Sequence, residues 1–119
     1  MSAVFPMKRK DGSFAVSARF SASQEEVLQR VDELIATWVR TKSDEHIDWT
    51  GDLVTVPTVK HVDKQTVEVV FDGKPGSRRW KDWMVSITQQ LSSLPGMTFE
   101  GFFDLVANVP HPASLPRRR

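Results

Sequence analysis

Between Ser23 and Lys42 the apolar residues Val27, Leu28, Val31, Leu34, Ile35, Trp38 and Val39 fall on a single stripe with a period near 3.6. No other stretch constrains the fold as strongly. The opposite side carries Gln24, Glu25, Gln29, Arg30, Asp32, Glu33, Thr37 and Arg40, so the segment is an amphipathic helix that needs a flat apolar surface to lie on. Its start is marked by Ser23-Gln24-Glu25-Glu26, an S-x-x-E capping box in which Ser23 accepts from a first-turn amide and Glu26 reaches back to the amide of Ser23. Acids in the first turn and Arg40 and Lys42 in the last suit the helix macrodipole.

The flat surface comes from the segments around it. Ser13 to Ala22 alternates strictly, with Phe14, Val16, Ala18 and Phe20 on one face and Ala15, Ser17, Arg19 and Ser21 on the other, and runs straight into the helix start. Leu53 begins a second strand that continues through Pro57 to about Lys60. Since proline cannot donate to a ladder, this strand belongs at a sheet edge or is broken by a bulge. His61 to Gln65 turns the chain into a third strand, Thr66 to Asp72, with Val67, Val69 and Phe71 inward. After the breaker cluster from Asp72 to Gly76, Ser77 is a candidate N-cap for a second helix with the stripe Trp80, Trp83, Met84, Ile87 and Leu91. Pro95-Gly96 ends it, and Met97 to Val109 is the last strand.

Strand, helix, strand, strand, helix, strand is the split βαβ order, which predicts an α+β, ferredoxin-like βαββαβ two-layer sandwich: an antiparallel sheet with two helices on one face. The first and third strands then lie in the centre, and the second and fourth at the edges. Residues 13–109 form this single domain, residues 1–12 an N-terminal arm or an extra strand turned at Asp11-Gly12, and residues 110–119 a disordered basic tail.

A chain of 119 residues buries one core without needing crosslinks. It has no cysteine, which removes disulfides, thiolate metal sites and thiol nucleophiles. No apolar run reaches a membrane span, and the charges at Lys8 to Lys10 follow a short apolar patch, the reverse of a signal peptide, so a cytoplasmic protein with no membrane contact is expected. The net charge of +1 conceals a polarised distribution. All fifteen acids lie between Asp11 and Asp104 with ten of the sixteen basic residues, leaving that body with an excess of five acids. Such a body is a poor platform for a polyanion, which ranks nucleic acid below a protein partner.

No catalytic, dinucleotide or phosphate-loop motif occurs, and neither a cofactor nor a metal is implied. The pairs His46-x-Asp48 and His61-x-Asp63 have a non-specific spacing that turns commonly show. Two candidate surfaces remain. Lys74, Ser77, Arg78, Arg79 and Lys81 surround the start of the second helix, where they would hold an anion or nucleic acid unless neighbouring acids neutralise them. Trp80 and Trp83 beside them keep the phase of Ile87 and Leu91, which assigns them to the core; Trp49, after a polar loop, is the tryptophan expected to be most exposed. The other surface is the sheet face away from the helices. The last strand has bulky residues in both registers, Phe99, Phe103 and Leu105 in one and Phe102 and Val106 in the other, so one set must face outward. With Val70, the set Phe102 and Val106 is assigned to a protein interface, and the leading expectation is a non-enzymatic module that self-associates or binds a protein partner there.

Overall fold

The computed structural model describes residues 8–46 and 50–111. In chain order they form β1 (Phe14–Ala22), α1 (Glu25–Asp44), β2 (Thr58–His61), β3 (Thr66–Gly73), α2 (Trp80–Ser92), β4 (Met97–Asp104) and β5 (Val109–His111). The strands make one antiparallel five-stranded sheet in the order β2-β3-β1-β4-β5. Both helices contribute to a single core against one face, giving a two-layer α+β architecture. Phe14, Val16, Ala18 and Phe20 of β1 and Val67, Val69 and Phe71 of β3 meet Leu28, Val31, Ile35 and Trp38 of α1 and Trp80, Met84, Ile87 and Leu91 of α2.

The central strands obey the alternation read from the sequence, and several boundaries differ for local reasons. β1 stays extended to its end, where the Ala22 amide donates to the Gln65 carbonyl. Extended geometry persists to Gln24 (φ −115°, ψ 127°), so α1 starts at Glu25 and Ser23 stands too early for its hydroxyl to cap the first turn. The second strand is shorter than expected. Leu53 makes one bridge to Gly73 and the Val54 amide reaches the Asp72 carbonyl, but regular pairing resumes only at Thr58, after Pro57. β2 is therefore an edge strand interrupted at its proline, as the missing donor requires.

The opposite edge corrects the four-stranded expectation. β4 is not an edge: it ends at Asp104, and the chain turns back so that Val109, Pro110 and His111 pair with Asp104, Phe103 and Phe102. Asp104 organises the turn, its Oδ1 accepting from the Val106 and Ala107 amides at 3.0 and 3.1 Å and its carbonyl from the Asn108 amide at 2.7 Å. Pro110 and His111, assigned by composition to a tail, thus form a strand; residues 112–119 lie outside the described residues. No strand occurs among residues 8–12, where Arg9 to Ser13 is a turn closed by the Gly12 amide on the Arg9 carbonyl. The remainder of the proposed arm, residues 1–7, also lies outside the described residues.

Gly73 is set by packing. A Cβ built there would come within 2.8 Å of two atoms of the Trp80 ring, which is itself stacked on Phe14 with centroids 5.0 Å apart. The last residue of β3 must be small to admit the first residue of α2.

Candidate functional site

A β-bulge settles the two-register ambiguity of β4. Arg19 pairs with Gly101 and Phe20 with Phe99, leaving Glu100 as the extra residue, and Gly101 adopts φ +124°, a conformation that side-chain-bearing residues rarely take. The slip turns Phe99 and Phe102 to the same side. Their rings meet each other at 5.0 Å and Phe99 meets Phe20 at 5.4 Å. Phe102 is buried in the helix-covered core, so its assignment to the outer interface is corrected. The outward residue of β4 is Phe103. Val106 has left the strand and sits in the Asp104 turn, whereas Val70 keeps an outward position on β3.

The sheet face away from the helices, which no helix or strand among the described residues covers, consists of rows running across the strands. One row reads Thr58, Val70, Ser17, Phe103 and Pro110 from β2 to β5. The next reads Lys60, Glu68, Arg19 and Gly101, with bulged Glu100 beside it. The first row is mostly apolar and the second alternates in charge. Arg19 Nη2 donates to Glu68 Oε1 at 2.5 Å, and Ser21 Oγ donates to Glu100 Oε1. Because Ser17 and Gly101 have little or no side chain, the middle of the face sinks into a depression of about 410 Å³ lined by Ser17, Arg19, Glu68, Gly101, Phe103 and Pro110. Leu105 stands exposed at one margin.

Three of the residues expected at an anion site, Lys74, Ser77 and Arg79, gather instead around a carboxylate of the chain itself and the tryptophan bonded to it. Asp52 accepts from Ser77 Oγ at 2.9 Å through Oδ1 and from Trp83 Nε1 at 2.8 Å through Oδ2, while its carbonyl accepts the Lys74 amide at 2.8 Å. Ser77 Oγ in turn accepts from the Arg79 and Trp80 amides at 3.3 and 3.2 Å, so the expected cap acts in the turn just before α2. The Arg79 guanidinium lies 4.8 Å from the centroid of the Trp83 ring, and Lys42 Nζ lies 5.4 Å from it. Arg78 and Lys81 are exposed. Trp80 and Trp83 are both buried, and Trp83 also packs edge-on to Trp38 at 5.7 Å. Thus Ser77 and Arg79 are drawn together by Asp52 and Trp83, whereas Arg78 and Lys81 project from the surface. Asp52 carries no motif in the sequence, and its 25-residue separation from Ser77 hides the contact.

His61 Nε2 pairs with Asp32 Oδ2 of α1 at 2.8 Å. Among the described residues no group of three or more His, Cys, Asp or Glu could hold a metal ion. Asp48 and Trp49 lie outside the described residues. Also among the described residues, no helix is long and apolar enough to cross a membrane. Comparison with family models, with curated proteins and with solved structures finds no match.

Proposed function

We propose that the chain is a non-enzymatic interaction module, working in the cytoplasm, that binds protein through the uncovered face of its sheet, either a second copy of itself or a protein partner. The observation that carries this reading is the depression over Ser17 and Gly101, with Val70 and Phe103 on either side and the alternating charges of Lys60, Glu68, Arg19 and Glu100 along it. Apolar contact flanked by paired charge is the composition of a protein-binding patch. The fold is read as a ferredoxin-like βαββαβ plan with β5 appended outside β4; this rests on the central positions of β1 and β3 and on β2 at one edge. That plan serves many functions and supplies none by itself.

Nucleic-acid or anion binding through Lys74, Ser77, Arg78, Arg79 and Lys81 ranks second. Asp52 already places a carboxylate on Ser77, and Arg79 rests on Trp83. Sedimentation velocity at two salt concentrations, with and without a mixed pool of short RNA and DNA, separates the two readings. Concentration-dependent association that survives the rise in salt and ignores the pool is the expected result. A monomer that shifts with the pool at low salt and loses it at high salt would overturn the sheet-face reading in favour of the basic helix start.

A further inference from the structure

We infer that the occupant of the sheet face is a second copy of this chain, bound about a twofold axis that runs parallel to the strands midway between β1 and β3. This rests on the sheet-face reading above and names its partner. An axis so placed exchanges β1 with β3 and β2 with β4 while keeping every residue in its row. The consequence for the charged row is direct. Lys60, Glu68, Arg19 and the Glu100 bulge follow one another across β2, β3, β1 and β4, so reversing their order sets Glu68 opposite Arg19 of the second copy and Lys60 opposite its Glu100. Two positive and two negative residues make the row neutral, and each sign meets its opposite.

The apolar row is complementary in shape under the same operation. Val70, next to Ser17 in the register, is carried over Ser17 of the second copy, where the face sinks. Phe103 is carried over Thr58. A knob therefore meets a hole on both sides of the axis. An axis centred on β1 or on β3 loses this match. Placing the axis over β1 itself would set Arg19 against Arg19 and Ser17 against Ser17, repelling in one row and leaving a void in the other.

The size of the face sets the strength. The axis overlays four strands, β1 and β3 over about eight residues and β2 and β4 over the four residues of β2; at about 4.8 Å between strands and about 3.3 Å per residue this gives roughly 400 Å² per copy in projection. The total of about 800 Å² lies at the weak end of specific interfaces and fits a dimer with a dissociation constant on the order of tens of micromolar.

The test uses two charge reversals and their mixture. Arg19→Glu sets two carboxylates against each other at both symmetric contacts, and Glu68→Arg sets two guanidinium groups there. Sedimentation equilibrium from about 1 to 200 µM, bracketing that affinity, is expected to show each variant alone dimerising at least about 30-fold more weakly than the parent chain. An equimolar mixture should recover the dimer, because each contact then joins a carboxylate to a guanidinium. The Arg19 to Glu68 bond within each chain is broken in both variants and mixing cannot repair it, so recovery reports contact between chains. Circular dichroism melts confirm that both variants fold, and Val70→Asp provides a second, uncharged-contact disruption expected to yield a monomer.

A parent chain that stays monomeric throughout the range, variants that dimerise like the parent, or a mixture that stays monomeric overturns the proposal. In the monomeric case a photo-crosslinker at position 103 locates the fault. Capture of a different protein, identified by mass spectrometry and lost in Val70→Asp, overturns the second-copy assignment alone; no capture overturns the sheet-face reading with it.

Discussion

Removing the Asp52 carboxylate should destabilise the fold by loosening the start of α2. In Asp52→Ala the Ser77 hydroxyl and the Trp83 indole N–H lose acceptors at 2.9 and 2.8 Å. Ser77 can turn to water, but Trp83 is buried, so its N–H loses a charge-assisted bond without full replacement. A hydrogen bond to a charged group contributes about 1.5–3 kcal/mol and a neutral replacement about 1 kcal/mol. Asp52 is half-exposed, which lowers the loss at the Ser77 side, and the sum is a destabilisation of about 2–3 kcal/mol. Asp52→Asn keeps one acceptor but turns an amide toward the other donor, at a cost of about 1–2 kcal/mol. Urea unfolding measures both, with an unchanged m value required for the comparison. At this length the alanine variant should melt about 6–15 °C lower. A double-mutant cycle with Ser77→Ala should give a coupling of about 0.5–1.5 kcal/mol. If Asp52→Ala lies within about 0.5 kcal/mol of the parent, within the range of ordinary surface substitutions, the carboxylate does not organise the start of α2 and the argument against an anion site there fails.

Gly73→Ala forces a methyl group to within 2.8 Å of the Trp80 ring, which Phe14 blocks from retreating; a destabilisation of about 1–3 kcal/mol is expected by urea unfolding, and a neutral result would refute the packing account. Thr88 is fully buried and its hydroxyl has no hydrogen-bond partner among the described residues, so Thr88→Val should raise the denaturation midpoint by an amount worth about 0.5–1.5 kcal/mol, and a loss of stability would show that the hydroxyl is bonded. The Asp11 carboxyl is held below its ordinary range by hydrogen bonds from the Ser13 hydroxyl and amide. Because its folded value is depressed, its contribution is fully present above the unfolded value and disappears as pH falls through the folded one. A carbon-detected NMR titration should place the Asp11 midpoint below that of the same residue in Asp11-containing peptide, and in Ser13→Ala the midpoint should rise toward it.

The periodic parts of the fold were legible because burial enforces them. Val67, Val69 and Phe71, or Leu28, Val31, Ile35 and Trp38, could not be moved by one position without exposing apolar side chains, and the sequence can be read in only one phase. The last strand was not legible in this way, since it carries bulky residues in both phases and strict alternation forces a choice between them. The chain makes no such choice. It slips at Glu100, buries Phe99 and Phe102 together and turns Phe103 outward. Gly101 was the available signal, because an isolated glycine inside a strand pattern marks a bulge. β5 gave a weaker signal still: three residues, one a proline, have no periodicity to read, and their pairing depends on the turn that Asp104 and Asn108 close. The Asp52 centre is non-local, joining a loop to a helix start through single polar atoms, and no composition or spacing rule marks such a contact.

Why a face and not an edge should carry association follows from the two outer strands. An antiparallel sheet usually recruits a partner most readily along an open edge, where unpaired amides and carbonyls form a template. Here β2 offers four residues after the break at Pro57, with Lys60 and His61 among them, and β5 offers three with Pro110 in the middle. A proline supplies no donor, and short, charged or interrupted strands are the usual means of blocking edge pairing. Among the described residues the face has no such protection: its central strand presents the small Ala15 and Ser17, and the bulge at Gly101 extends the depression instead of filling it. Filling the depression is therefore the informative perturbation. Ser17 is only 1 % exposed at the floor of the depression, but its side chain projects away from the helix-packed core, so Ser17→Leu should fold by extending into the depression and should abolish association by occupying the volume that the proposed contact gives to Val70 of the second copy. If Ser17→Leu unfolds the domain, the face is packed against part of the chain itself; if it folds and associates as before, the contact lies elsewhere on the molecule.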